Sequence, residues 1–154
     1  MAIDKKNIKK NKARIAVVAS SFNDFITSGL LNACLEELQR QGLGDDQVTV
    51  VWVPGAFEIP LIALKFAQRR DIDAVICLGA VIRGETYHFE VVSNECARGI
   101  MEASLVSAKP VIMGVLTTDT VAQAQARAGQ KGGNNKGRDA ACAVLEMIAL
   151  SKDI

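Results

Sequence analysis

The fold is decided by the segment DAVICLGAVIRGETYHFE, which runs from Asp73 to Glu90. Its first part, up to Leu78, is an apolar run of the kind that is buried on both faces of a parallel sheet. Gly79 and Gly84 follow, and then a polar cluster opens an amphipathic stretch. The segment predicts a strand, a turn whose glycines let the backbone approach a ligand, and a helix with the chain's one histidine in its first turn.

The same order of strand, polar turn and helix recurs along the chain. Three other runs predict buried strands: Arg14–Ala19, Gln47–Val53 and Pro110–Leu116. Helical patterns follow them, and capping side chains at 20–24 are expected to start the first helix. Four strands alternating with helices predict a parallel sheet with helices on both faces, whose ligands bind at the carboxyl ends of the strands. With 154 residues and no linker, a single domain spanning 1–154 is expected.

Composition excludes several classes of protein. A net charge of +1 gives no field for attracting nucleic acid, and no apolar run reaches the length of a transmembrane helix. The basic segment 1–13 lacks the apolar core of a secretory signal, so we expect a solvated or partner-docked tail. Cys34, Cys77, Cys96 and Cys142 are too far apart for a metal motif. Buried, reduced thiols in a cytoplasmic protein are expected.

His88 is the candidate for acid–base chemistry at this edge. A lone histidine is more often structural, but an imidazole in the first turn of a helix beside a ligand can transfer protons near neutral pH. Thr86 and the amides of Glu85 and Thr86 lie where an anion meets a helix start. The carboxylate of Glu85 must then point away from the anion, and Thr86 could instead simply cap the helix.

Three other features of the edge have alternative interpretations. Arg127 ends a short helix, where a cation either complements the helix dipole or clamps a phosphate. Phe22 either packs in the core or stacks on a planar heterocycle. The turn Pro54–Glu58 offers backbone groups and a carboxylate that can read the polar edge of a ring. Since both the dinucleotide-binding and the Walker-type glycine motifs are missing, those modes of nucleotide binding are excluded.

Five motifs together resemble those of the 6,7-dimethyl-8-ribityllumazine synthases. They are SFNDFI from Ser21, WVPGAFEIP from Trp52, GAVIRGETYH from Gly79, GVLTT from Gly114 and QARAG from Gln125. The resemblance implies a three-layer αβα sandwich with a four-stranded parallel sheet in the flavodoxin-like order 2-1-3-4. It also implies the penultimate step of riboflavin synthesis, in which 5-amino-6-(D-ribitylamino)uracil condenses with 3,4-dihydroxy-2-butanone 4-phosphate to release water and phosphate. The reaction needs no cofactor and no metal.

The resemblance also implies a role for each site residue. His88 becomes the proton-transfer residue, and the phosphate is placed at Glu85, Thr86 and Arg127. The pyrimidine is placed against Phe22, Ala56, Phe57, Glu58, Ala80, Val81, Ile82 and a neighbouring subunit's Met113. Relatives usually have phenylalanine in place of Met113, and the loop 131–136 is one residue longer than usual, which leaves Lys136 out of the implied site.

Assembly is the last implication. Relatives form pentamers, in many bacteria twelve pentamers close into a capsid, and some capsids enclose riboflavin synthase. The resemblance therefore implies a homo-oligomer with sites between subunits, with the pentamer, the capsid and the enclosed partner as open alternatives. The N-terminal segment is expected to dock on a neighbouring subunit's sheet. Two functions of other classes compete: a non-enzymatic carrier of a flavin or pterin, and a structural shell protein.

Overall fold

The structure, a computed structural model, describes residues 11–129 and 134–154. Its strands are β1 (Ile15–Ser20), β2 (Val48–Val53), β3 (Ala74–Ile82) and β4 (Val111–Thr118). Its helices are α1 (Asp24–Arg40), α2 (Ile59–Ala67), α3 (His88–Ser107), α4 (Val121–Arg127) and α5 (Lys136–Lys152). The expected docking of segment 1–13 and the longer loop after Gly129 concern residues that lie largely outside the described ranges.

The four strands form one parallel sheet in the order β2-β1-β3-β4. Alternate residues of β1 point to opposite faces, as the pleat requires. Ile15 and Val17 belong to the core shared with α1 and α5, whereas Ala16 and Val18 belong to the core shared with α2 and α3. The expected αβα sandwich with the order 2-1-3-4 is therefore confirmed.

β3 is longer than the sequence predicts. The expected strand ended at Leu78 with Gly79 in a ligand-binding turn, but β3 continues through Gly79 to Ile82. A Cβ atom on Gly79 would collide with the side chain of Ser20, which belongs to the neighbouring strand β1. The expectation of a turn at Gly79 is therefore wrong, and the packing between strands gives a reason for a glycine at this position.

The thiols divide into three buried side chains and one exposed one. Burial raises the pKa of Cys34 to about 12 and that of Cys96 to about 11, and it raises the pKa of Cys77 further still. These thiols stay protonated and unreactive at neutral pH. The expectation of burial is wrong for Cys142, which is exposed on α5 because it faces α1 only at the rim, with Sγ 3.5 Å from Glu37 Oε1.

The contact between α1 and α5 is unusually close at one point. A Cβ atom on Gly137 would collide with the backbone of Leu30 in α1. Asn135 fixes this approach, since its Oδ1 accepts hydrogen bonds from the backbone N of Gly137 at 2.8 Å and of Arg138 at 3.2 Å. Its Nδ2 donates to the carbonyl of Ala128 at 2.5 Å, which ties the start of α5 to the end of α4.

The substitution Gly137→Ala should destabilise the protein. Helix propensity alone would favour alanine by about 1 kcal/mol, but overpacking against the backbone of Leu30 should reverse the sign and cost about 1–3 kcal/mol net. Urea unfolding at a fixed protein concentration measures the difference. Gly84→Ala is the matched control, because a Cβ there meets nothing within 4 Å. Equal stability of the two variants would contradict the close approach.

Glu37 is a buried carboxylate at the same helix contact. Its side chain is 7% exposed, and it accepts hydrogen bonds from Arg40 Nη2 at 2.6 Å and from Gln41 Nε2 at 2.8 Å. The hydrogen bond from Arg40 is the main reason why the pKa of Glu37 falls from 4.5 to about 2, against the opposing effect of burial. The folded protein therefore favours the ionised form.

This lowered pKa gives a defined dependence of stability on pH. The contribution of Glu37 should be fully present above pH 4.5 and should be lost as the pH falls toward about 2. At neutral pH, Glu37→Gln should lower the free energy of unfolding by about 1–3 kcal/mol, and the gap should close across that window. The exposed neighbour Glu36→Gln is the control, and a gap independent of pH would contradict the assignment.

Candidate active site

A pocket of about 650 Å³ lies at the carboxyl ends of β1, β2 and β3, beside the start of α3. It gathers the segments that the strand–turn–helix pattern predicts at this edge. Nine of the candidate site residues line it: Phe22, Ala56, Phe57, Glu58, Ala80, Val81, Ile82, Thr86 and His88.

Hydrogen bonds between turns hold this edge together. The backbone N of Ser21 donates to the carbonyl of Val53 at 2.8 Å, and that of Phe22 donates to the carbonyl of Pro54 at 3.0 Å. Asn23 adopts the left-handed conformation, with φ 62°, and its Nδ2 donates to the carbonyl of Ala80 at 2.9 Å. The turns after β1 and β2 and the end of β3 are thereby fixed relative to one another.

The side chain of Asn23 corrects one expectation. Residue 23 occupies the N-cap position of α1, where a polar side chain was expected to accept a bond from the helix amides, yet it makes no capping hydrogen bond. The left-handed backbone, which Asn tolerates better than most residues, turns the amide group toward β3 instead. Asn23 therefore connects strands rather than capping a helix.

Two aromatic rings stand exposed at the rim of the pocket. Phe22 is 72% exposed and Phe57 is 56% exposed, and both line the cavity. This exposure rules out packing of Phe22 in the core of its own chain, and stacking on a planar ligand stays a prediction. Val81 and Ile82, both half-buried, supply apolar surface from the end of β3.

His88 is the first residue of α3, as predicted, and it is exposed to the pocket. The start of the helix has little capping, because the backbone N of His88 reaches Thr86 Oγ1 only at 3.4 Å. Thr86 is therefore at most a weak cap. Glu85 is exposed and is not among the residues that line the pocket, so the structure does not bring its side chain to His88.

Met113 and Arg127 lie elsewhere. Together with Lys136 and Asp139, they line a second cavity of about 390 Å³ on the other side of β4. Arg127 Nη1 donates to the carbonyl of Gln123 at 2.9 Å, which suits a cation at a helix end. Met113 and Arg127 are candidate site residues, but in this chain they line a cavity other than the pocket of His88.

A third cavity of about 340 Å³ lies between the start of α3 and α4. Phe89 lines both this cavity and the pocket of His88, while Arg127 lines both this cavity and the second one. The hydroxyl of Ser93 is buried at its wall and has no hydrogen-bond partner among the described residues. The third cavity therefore connects the two groups of candidate residues.

Sequence reasoning missed several residues of these cavities. Phe89 and Val92 line the pocket of His88, although their helical spacing suggested core packing alone. Lys136, set aside because of the longer loop, lines the second cavity and donates to Asp139 Oδ2 at 3.2 Å.

Within 11–129 and 134–154, no group of three or more His, Cys, Asp or Glu side chains is arranged to hold a metal ion. Over the same part of the chain, no helix has both the length and the apolar character needed to cross a membrane.

The fold and the pocket define an α/β sandwich protein with a cavity at the carboxyl edge of its parallel sheet. A sequence model of the 6,7-dimethyl-8-ribityllumazine synthase family matches residues 12–152. The chain therefore belongs to the 6,7-dimethyl-8-ribityllumazine synthase family, whose members are transferase-type enzymes acting on small molecules. The resemblance in the five motifs is confirmed at this level.

Proposed function

We propose that this chain condenses 5-amino-6-(D-ribitylamino)uracil with 3,4-dihydroxy-2-butanone 4-phosphate to give 6,7-dimethyl-8-ribityllumazine, water and phosphate. The observation that carries the proposal is the pocket that joins His88 to two exposed aromatic rings and to the turn Ala56–Glu58. Membership of the family supports the same reaction.

The pyrimidine would be held by an apolar and a polar set of contacts. The exposed rings of Phe22 and Phe57 and the half-buried Val81 offer surfaces for a flat ring. Glu58, which is exposed at the same pocket, offers a carboxylate that can accept hydrogen bonds from ring nitrogens. Such a pocket has the mixture of apolar walls and few polar groups that is typical of small-molecule sites.

The phosphate of the second substrate would lie at the start of α3. The amides of Glu85 and Thr86 precede the helix, whose first turn leaves backbone donors unpaired. Glu85 is not among the residues that line the pocket, and its carboxylate would have to stay clear of the bound phosphate. The guanidinium of Arg127 would complete the phosphate site with its fork of donors.

The chemistry then requires positioning and proton transfer. Schiff-base formation, loss of phosphate and ring closure each move protons between the two substrates, and His88 is placed to accept and return them. No nucleophile from the protein takes part in these steps. The chain's own contribution is to hold both substrates and to supply one imidazole.

A shared site between subunits is part of the proposal. Met113 and Arg127 line a cavity other than the one that contains His88, so one chain carries two partial sites. We infer a cytoplasmic homo-oligomer in which a neighbour's Met113 and Arg127 complete each pocket. The pentamer is the proposed unit, with a capsid of twelve pentamers, able to enclose riboflavin synthase, as the larger alternative.

The first test is turnover and its dependence on His88. Both substrates are mixed with the protein while lumazine absorbance and phosphate release are followed. His88→Ala should lower kcat by about ten- to a hundredfold or more, since a general acid–base residue typically contributes about 10²- to 10⁴-fold. Tyr87→Ala is the matched control, because Tyr87 is exposed beside His88 and does not line the pocket. An unchanged kcat in His88→Ala would remove the proposed role, and flavin binding without turnover would favour the carrier.

Arg127→Ala should act on the phosphate substrate alone. Its KM should rise about tenfold for 3,4-dihydroxy-2-butanone 4-phosphate through loss of a charge-assisted contact, while the KM for the pyrimidine stays the same. Arg70→Ala is the control, since this exposed arginine precedes β3 at the opposite edge of the sheet. A weaker binding of the pyrimidine with an unaltered KM for 3,4-dihydroxy-2-butanone 4-phosphate would contradict the assignment.

Co-expression of these two variants tests the shared site. In a mixed ring, about one interface in four should join an intact His88 to a neighbour's intact Arg127. Activity at low phosphate-substrate concentration should therefore exceed that of either variant alone. Activity no higher than the sum of the separate variants would place both residues in one chain's site.

A further inference from the structure

The start of α3 lacks the contacts that usually fix a helix start. Tyr87 occupies the N-cap position and its side chain makes no capping hydrogen bond. Residues 83–88 are all exposed, and a Cβ atom on Gly84 would meet nothing within 4 Å. The position of His88 against the sheet edge must therefore depend on contacts made by its neighbours in the first turn.

Arg83 makes those contacts. Its backbone N donates to the carbonyl of Thr118 at 2.9 Å, which anchors it to the end of β4. Its guanidinium donates through Nε to Asp119 Oδ1 at 2.7 Å and through Nη1 to Glu90 Oε1. Its Cζ atom also lies 4.4 Å from the centre of the Phe89 ring. One side chain thus holds both residues that follow His88.

The contacts at position 83 require an arginine. The planar guanidinium can donate to two carboxylates and stack on an aromatic ring at the same time, whereas a lysine is a point charge without a fork. The hydrogen bond from Arg83 also lowers the pKa of Glu90, so this partner remains ionised at neutral pH. Arg83, Glu90 and Asp119 together form a clasp between α3 and the turn after β4.

The clasp contributes little to overall stability. The side chains of Arg83 and Asp119 are 44% and 64% exposed, and ion pairs at such positions stabilise a fold only weakly. Its effect is local instead, because it restricts the first turn of an otherwise uncapped helix. A misplacement of about 1 Å in a reacting group is enough to slow catalysis strongly.

We propose that Arg83 is a positioning residue, which bridges Glu90 and Asp119 and stacks on Phe89 so that His88 is held at the productive place in the pocket. This role rests on the proposed catalytic function of His88. Arg83 itself transfers no proton. Phe89, which lines the pocket of His88 on one side and the third cavity with Arg83 on the other, transmits the restraint.

The substitution Arg83→Met keeps an unbranched, flexible stem and removes the charge and the fork of donors. It should lower kcat about tenfold, leave both KM values within about twofold, and hardly change the melting temperature. Arg83→Lys should recover part of kcat. The control is Arg98→Met, which removes the pairs with Glu95 at 2.6 Å and Glu102 at 3.2 Å further along α3 and should leave kcat unchanged.

A double-mutant cycle separates positioning from general damage to the fold. If Arg83 acts through His88, Arg83→Met should lower kcat by less than about a further twofold in the His88→Ala background. An equal loss in both backgrounds, or an undiminished kcat in Arg83→Met, would overturn the positioning role while leaving the proposed function intact. Absence of turnover by the unmodified protein would overturn both. Should Arg83→Met not fold, Asp119→Asn, which removes one exposed arm of the clasp, carries the same cycle.

Discussion

The burial of β1 and β3 on both faces is the constraint on which the rest of the molecule depends. Every residue of β1, and β3 from Ala74 to Ala80, is buried, so each face of the sheet must be covered by helices. Parallel strands covered in this way all end at one edge, where the backbone leaves the sheet. The turns that follow them are largely exposed because the core is already complete below them, and this is where a ligand can be held.

Exposed turns would hold a reacting group poorly without the polar contacts that connect them. Asn23 connects the turn after β1 to β3, and Arg83 connects the start of α3 to the turn after β4. Neither of these polar contacts buries much apolar surface. Each replaces a local capping interaction with a contact across strands, and the edge is therefore ordered by a few directional bonds rather than by packing.

Much of the fold was predictable from the sequence, because apolar runs with β-branched residues and helical spacing between them are local signals. The pocket was predictable for the same reason, since strand ends bring Phe22, Glu58 and His88 together wherever the helices lie. What could not be predicted depends on partners distant in the chain. Gly79 leaves no room for a side chain because of Ser20, 59 positions earlier, and the side chain of Asn23 bonds a carbonyl 57 positions later.

The placement of Met113 and Arg127 outside the pocket of His88 has a consequence for assembly. If each chain lends one part of a site to a neighbour and receives the other part from the opposite side, an open row of chains always has one site fewer than it has chains. The two ends then each present an unfinished half. Only a closed ring completes every site. Ring closure therefore increases the number of complete sites as well as the contact area between chains. Catalytic capacity would then report directly on whether the ring is complete.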